Sequence, residues 1–149
     1  MIDYLNENDL AHLNERTIKA HGGQFEGPDN LANQDSLTAL LEEIAADGLP
    51  HLGDKAAAYM YGIISQHIFL DANPRTALLA ARTFVRLNGG TFHKKLKVVE
   101  YNGQQVPAHA KDRAAIWRQL TMEITSGALS LDACREWFRR NTTTPSAGK

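Results

Sequence analysis

Apolar residues recur along most of the chain at the three-and-four spacing of a helix, interrupted by glycine and proline. In residues 8–21, "NDLAHLNERTIKAH", Leu10, Leu13 and Ile18 share one face, and Gly22-Gly23 can supply a left-handed cap. Residues 35–47 place Leu37, Leu40, Leu41 and Ile44 together and stop at Gly48 and Pro50. Residues 54–68, "DKAAAYMYGIISQHI", are apolar nearly all round, the pattern of a central buried helix. Residues 74–88 open on Pro74, which suits a first helical turn, carry the stripe Ala77, Leu78, Ala81, Phe84 and Val85, and end at Gly89.

The pattern then changes. "KLKVVEYNGQQV" alternates around Asn102-Gly103, a hairpin-turn pair, so a short ribbon is expected near 94–106. Helical spacing returns over 109–126 with Ile116, Trp117, Leu120 and Ile124. Ser130 caps a last helix that carries Leu131, Cys134, Trp137 and Phe138. The expected fold is all-α, about six helices with room for one short β-hairpin. It forms a single domain over 1–141, and the tail 142–149, "TTTPSAGK", is expected to be disordered.

Composition narrows the function classes. The 149 residues suffice for one domain with a real core. A formal net charge of −1 gives no global field for nucleic acid, so direct nucleic-acid binding is not expected. No apolar run approaches the roughly 20 residues of a spanning helix, so no membrane role is expected. The polar, acidic opening "MIDYLNENDL" is unlike a signal peptide, and one cysteine, Cys134, fits a reducing compartment. A cytoplasmic protein is expected. Cys134, Trp117 and Trp137 fall on apolar stripes and read as core.

Chemistry concentrates in "HIFLDANPRT", residues 67–76. A helix beginning near Asn73-Pro74 would present unpaired N–H groups and the positive end of its dipole, an anion site that phosphate commonly fills. Arg75 can add a charge-assisted fork to a phosphate oxygen. Asp71 offers hard oxygens suited to Mg²⁺ shared with phosphates, or it can cap the helix. Asn73 can cap the helix, fix the loop or bind phosphate through its amide. A histidine such as His67 can take a proton from an incoming hydroxyl near neutral pH. Phe69 is expected to plug into the core and hold the loop rigid. Together these parts suit phosphoryl or nucleotidyl transfer, in which positioning and charge neutralisation supply most of the rate. The run "HKKLK" at 93–97 reads as a solvated face or as a docking patch, and Arg82 and Arg86 as exposed.

The spacing H-x-F-x-D-x-N-x-R resembles the motif of the Fic/Doc family, closest to its Doc branch. The resemblance extends over "LGDKAAAYMYGIISQHIFLDANPRTALLAARTFVRLNGG", upstream over "IKAHGGQFEGPDNLANQDSLTALL", and downstream over "ITSGALSLDACREWFRRN", about 140 residues in all, least familiar over 91–108. It implies a helical Fic fold, His67 as general base, Asp71 as Mg²⁺ ligand, and Asn73, Pro74 and Arg75 at the phosphate chain of ATP. It also implies a toxin that transfers phosphate to a Ser or Thr hydroxyl of a target protein, such as a translation elongation factor, and that is held in check by a small antitoxin protein. AMP transfer to a protein hydroxyl is the alternative within the family, and a weakened Fic-fold binding module the alternative outside catalysis.

Two positions depart from the pattern. AMP-transferring members generally carry Gly after the Asn and a second Arg three residues after the first; here those positions are Pro74 and Leu78. Doc-type members usually carry Lys where Pro74 stands. Proline removes that cation and a backbone N–H from the anion nest. The base and the metal ligand are retained, so a retuned or weakened site is expected rather than a wrecked one.

Overall fold

The structure, a computed structural model, describes residues 1–27 and 29–145. Its helices are α1 (Glu7–His21), α2 (Gln34–Ala46), α3 (Leu52–Ser65), α4 (Asn73–Leu87), α5 (Arg113–Ser126) and α6 (Leu131–Asn141). Four short strands, β1 (Thr91–Phe92), β2 (Val99–Tyr101), β3 (Gln104–Val106) and β4 (Thr142–Thr143), complete the described elements. The all-α expectation holds. So does the hairpin: β2 and β3 pair antiparallel around Asn102 and Gly103, both at positive φ as a two-residue turn requires.

Helix starts follow their side chains. Asn6 and Asp9 form a reciprocal capping box on α1. Asp112 caps α5 and Ser130 caps α6. The helix read over 109–126 therefore starts later, at Arg113, because the Asp112 carboxylate takes the Ala115 N–H and fixes the start there. Residues 142–143, assigned above to the tail, instead extend the chain as β4, paired antiparallel with β1. Two-residue strands are too short to show an alternating pattern, so this pair leaves no trace in the sequence. The end of the expected tail, 146–149, lies outside the described residues.

The buried helix is α3, with only Tyr61 and Ser65 outside the interior. It packs mainly on α4 and α6, with α2 and α5 alongside. Small residues let it sit that deep. A Cβ on Gly53 would come within 2.8 Å of the Phe138 backbone, and one on Gly62 would collide with the Leu40 side chain. Trp117, Trp137, Phe138 and Phe92 meet edge to face around α6, with centroids 5.0–6.1 Å apart. Burying each large ring contributes roughly 1.5–3 kcal/mol. Cys134 is fully buried within this layer, as its stripe predicted.

The core also fixes the "HKKLK" strap. The Asn141 amide brackets Lys97 through both its backbone N–H and its C=O, and Trp137 Nε1 donates to the same carbonyl. Leu96 turns inward, while Lys94, Lys95 and Lys97 stay exposed, the solvated arrangement.

Candidate active site

The loop between α3 and α4 is shaped by its own residues. The helix periodicity suggested that α3 runs to 68, but α3 ends at Ser65 and His67 adopts a left-handed conformation, φ 51°. The His67 N–H donates to Ile64 O and the Ile68 N–H to Ile63 O, the paired bonds of a Schellman ending. Glycine usually holds that left-handed position, because a Cβ there crowds the carbonyl. Here it is a histidine, with its side chain exposed at the loop surface.

The other end is similarly unusual. Ala72, φ 61°, is the residue that precedes α4, and no side chain caps the helix. Asn73, expected as cap or phosphate ligand, is the first helical residue and is 4% exposed. Its amide faces back across the loop: Oδ1 accepts from Phe69 N and Nδ2 donates to Phe69 O, both at 2.8 Å. Loop fixation is thus the job its side chain performs here. Phe69 itself is fully buried, as expected.

A second loop braces the first. Ala32 and Asn33 donate backbone N–H groups to Ile68 O, Leu70 donates to Asn30 O, and Leu31 bridges Phe69. Asn33 Nδ2 donates to the carbonyls of Gln66 and His67. Beneath lies a buried polar chain that the sequence reading did not single out. Asn30 Nδ2 donates to Asn14 Oδ1, and Asn14 Nδ2 donates to Thr76 Oγ1 and to Asp71 O. The available signal was an asparagine inside the apolar stripe of α1, between Leu13 and Ile18.

Asp71 holds a third segment. Its Oδ2 accepts from Gln24 N and its Oδ1 from Ala72 N, at 2.9 and 2.8 Å. The Gln24 N–H, then the Ala72 N–H, hold the carboxyl below its usual range, with the Arg75 charge adding to the effect. Gly23 is needed beside it, because a Cβ there would stand 2.9 Å from Asp71 Oδ2. The result is an ionised carboxylate with lone pairs to spare.

His67, Asp71, Asn73 and Pro74 all line one open cavity of about 200 Å³, closed on one side by Thr125 of α5. Arg75 does not line it. Its guanidinium donates to Gly22 O at 2.8 Å and borders a neighbouring groove of about 310 Å³, which meets the first at Pro74. No described hydrogen bond uses the N–H of Asn73 or of Arg75, so the start of α4 keeps two free donors where Pro74 contributes none.

Among the described residues, no three His, Cys, Asp or Glu side chains gather closely enough to hold a metal unaided. A metal held by Asp71 would therefore take most of its ligands from outside the protein side chains. This fits Mg²⁺, which commonly keeps one or two carboxylates and takes its other ligands from phosphates and water.

With the geometry in place, comparison with known proteins assigns the family. The model of the Fic/DOC family matches residues 4–85. The chain belongs to the Fic/DOC family. The match covers α1 to α3, the loop between α3 and α4, and all but the last two residues of α4, and it ends short of α5 and α6. Among its relatives, "Toxin Doc" of Mycolicibacterium smegmatis is 34% identical over 90 residues, covering 60% of this chain and 67% of the relative. "Protein kinase doc" of Escherichia phage P1 is 29% identical over 87 residues, covering 58% and 68%. The chain is thus a Doc-like member of a protein-modifying family. Among the described residues, no helix is long and apolar enough to cross a membrane.

Proposed function

We propose that this protein is a Doc-like toxin that transfers the terminal phosphate of ATP to a Ser or Thr hydroxyl of a target protein, a translation elongation factor being the expected target, with a small antitoxin protein as its regulator in the cytoplasm. The single observation that carries the proposal is the shared cavity, where an exposed imidazole, an ionised carboxylate and the free end of α4 converge on a braced loop. His67 accepts the proton of the attacking hydroxyl. The helix start and Arg75 provide the positive side of the phosphate site. Bound Mg²⁺ would supply neutralisation of phosphate charge, with Asp71 as its protein ligand. Asn73 positions the loop through Phe69 rather than gripping phosphate.

AMP transfer is less well supported, since Leu78 lines an apolar groove where the second arginine of AMP-transferring members would stand. A binding module is the second reading, favoured by Pro74, which withholds one N–H and the usual cation. Thermal unfolding with Mg·ATP separates the two. The transferase reading expects stabilisation of the natural protein and a much smaller effect on Asp71→Ala. Absence of stabilisation in both excludes nucleotide use and leaves the binding module.

A further inference from the structure

Helices α4 and α5 run side by side, and the seam between them carries a set of arginines with no acidic partner among the described residues. At one end a cavity of about 140 Å³ is lined by Arg82, Arg86 and Arg113 together with Gly90, Thr91 and Phe92. At the other lies the groove of about 310 Å³, where Arg118 borders Leu78, Trp117 and Met122. Among the described residues, no carboxylate lines either one. None of these four arginines makes an ion pair with a described carboxylate, although Lys19, Lys55, Arg135, Arg139 and Arg140 all do. Arg113 satisfies one guanidinium nitrogen on the carbonyls of His93 and Lys94, and this aims it at the strap rather than at an acid.

These four arginines gather on one seam of a chain whose net charge is only −1. Partial desolvation of the Arg82 guanidinium first, although the residue as a whole is exposed, and then the Arg113 and Arg86 charges lower its affinity for its own proton. Like charges held together without a partner cost stability and are relieved by an anion. Apolar surface adjoins the charge: Leu78 and Met122 line the groove beside Arg118, and Met122 is 61% exposed, one of the few large apolar side chains left open to solvent.

We propose that this seam is a docking track for the protein being modified, and that it takes an acidic segment whose carboxylates sit on Arg82, Arg86, Arg113 and Arg118 while an apolar side chain covers Leu78 and Met122. This rests on the transferase reading above. Position argues for the acceptor protein as occupant. The seam opens into the candidate active site, because Pro74 lines both hollows and Thr125 of α5 borders the cavity of His67. From Arg75 to Arg86 the track spans about 16 Å of helix, the length of about five extended residues. The hydroxyl to be modified therefore lies a few residues from a run of Asp or Glu. Single-stranded nucleic acid fits less well, since base stacking needs an open aromatic face and Trp117 is 7% exposed.

The test uses the full chain carrying His67→Ala, without nucleotide, and a fluorescent peptide of Glu and Leu around one Thr. A matched peptide with Lys for Glu and a single-stranded oligonucleotide serve as the other probes. The acidic peptide is expected to bind and to weaken by on the order of tenfold or more in Arg82→Glu/Arg86→Glu, whose positions are exposed and whose helix content should be unchanged. That variant should gain affinity for the Lys peptide, a reversal that misfolding cannot produce. Equal binding of the two peptides, no effect of the charge reversal, or tighter binding of the oligonucleotide overturns the docking track, whatever a transfer assay shows. Charge-selective binding with no transfer to any protein overturns the transferase reading and keeps the seam as a surface for acidic segments.

Discussion

Replacing His67 with glycine should make the protein more stable and inactive at once. His67 occupies the left-handed position of a Schellman ending, φ 51°, where a Cβ costs roughly 1–2 kcal/mol. Histidine tolerates that region better than most residues, which places the cost near the lower bound. Glycine removes the clash but gives the unfolded chain extra freedom worth about 0.4–1 kcal/mol. The balance is a gain of up to about 0.6 kcal/mol, which corresponds to a rise in Tm of up to about 2 °C for a chain of this size. The His67 side chain is exposed, so little packing is lost to offset the gain. His67→Ala keeps the strained backbone and should stay within about 0.5 kcal/mol of the natural protein. Urea unfolding followed by fluorescence of the buried Trp117 and Trp137 measures both variants. A glycine variant less stable than the alanine variant would refute the strain argument. A glycine variant with full transfer activity would refute the role of the imidazole. If both hold, the histidine is kept for chemistry against the preference of the backbone, as strained residues at functional sites often are.

Other outcomes follow from the same geometry. Asn14→Ala strands the buried partners Asn30, Thr76 and the Asp71 carbonyl, and should cost about 2–4 kcal/mol in denaturant unfolding. Pro74→Lys restores a cation at the start of α4 and should raise phosphate transfer by roughly 10–150-fold if the missing charge-assisted contact limits the rate, read as single-turnover label incorporation. The depressed Asp71 carboxyl makes its contribution to loop order fully present above the ordinary carboxylate range, and that contribution is lost as pH falls through the lowered value. The protection of the Gln24 N–H against hydrogen exchange, taken relative to its intrinsic rate at each pH, should therefore fall on the acid side in the natural protein and be low at every pH in Asp71→Ala. Burial pushes the Cys134 thiol well up from its ordinary range, so a thiol reagent should label it only as fast as the protein unfolds.

The sequence exposed most of the architecture because most of it is periodic. Leu37, Leu40 and Ile44 on α2, and Trp137 and Phe138 on α6, are buried where their spacing puts them. Asn102-Gly103 marked the hairpin because only a few residue pairs accept two positive φ angles in succession. The ends were harder to place. His67 left α3 early because two backbone bonds to Ile63 and Ile64 outweighed continued helix, a choice that apolar periodicity does not record. The site was legible as a set of residue types but not as a set of contacts. Asn73 reads equally well as a cap, a phosphate ligand or a loop clamp until Phe69 is seen bonded to both ends of its amide. Arg75 reads as a charge beside the phosphate site, but its anchor on Gly22 O, 53 residues away in sequence, has no local signal. The bracing by Asn14, Asn30 and Gln24 is long-range and shows no local pattern beyond one misplaced polar residue on α1.

The central claim is that the cavity of His67 and Asp71 transfers phosphate. The most direct test incubates the protein in a bacterial lysate with Mg·ATP labelled at either the α- or the γ-phosphate, beside His67→Ala. A labelled protein band that appears from γ-label alone and vanishes with His67→Ala is the predicted result, and its mass identifies the target. A band from α-label would contradict phosphate transfer in favour of AMP transfer, despite Pro74 and Leu78. No band from either label, with a folded protein, would contradict catalysis and make Pro74 the mark of a site kept for binding.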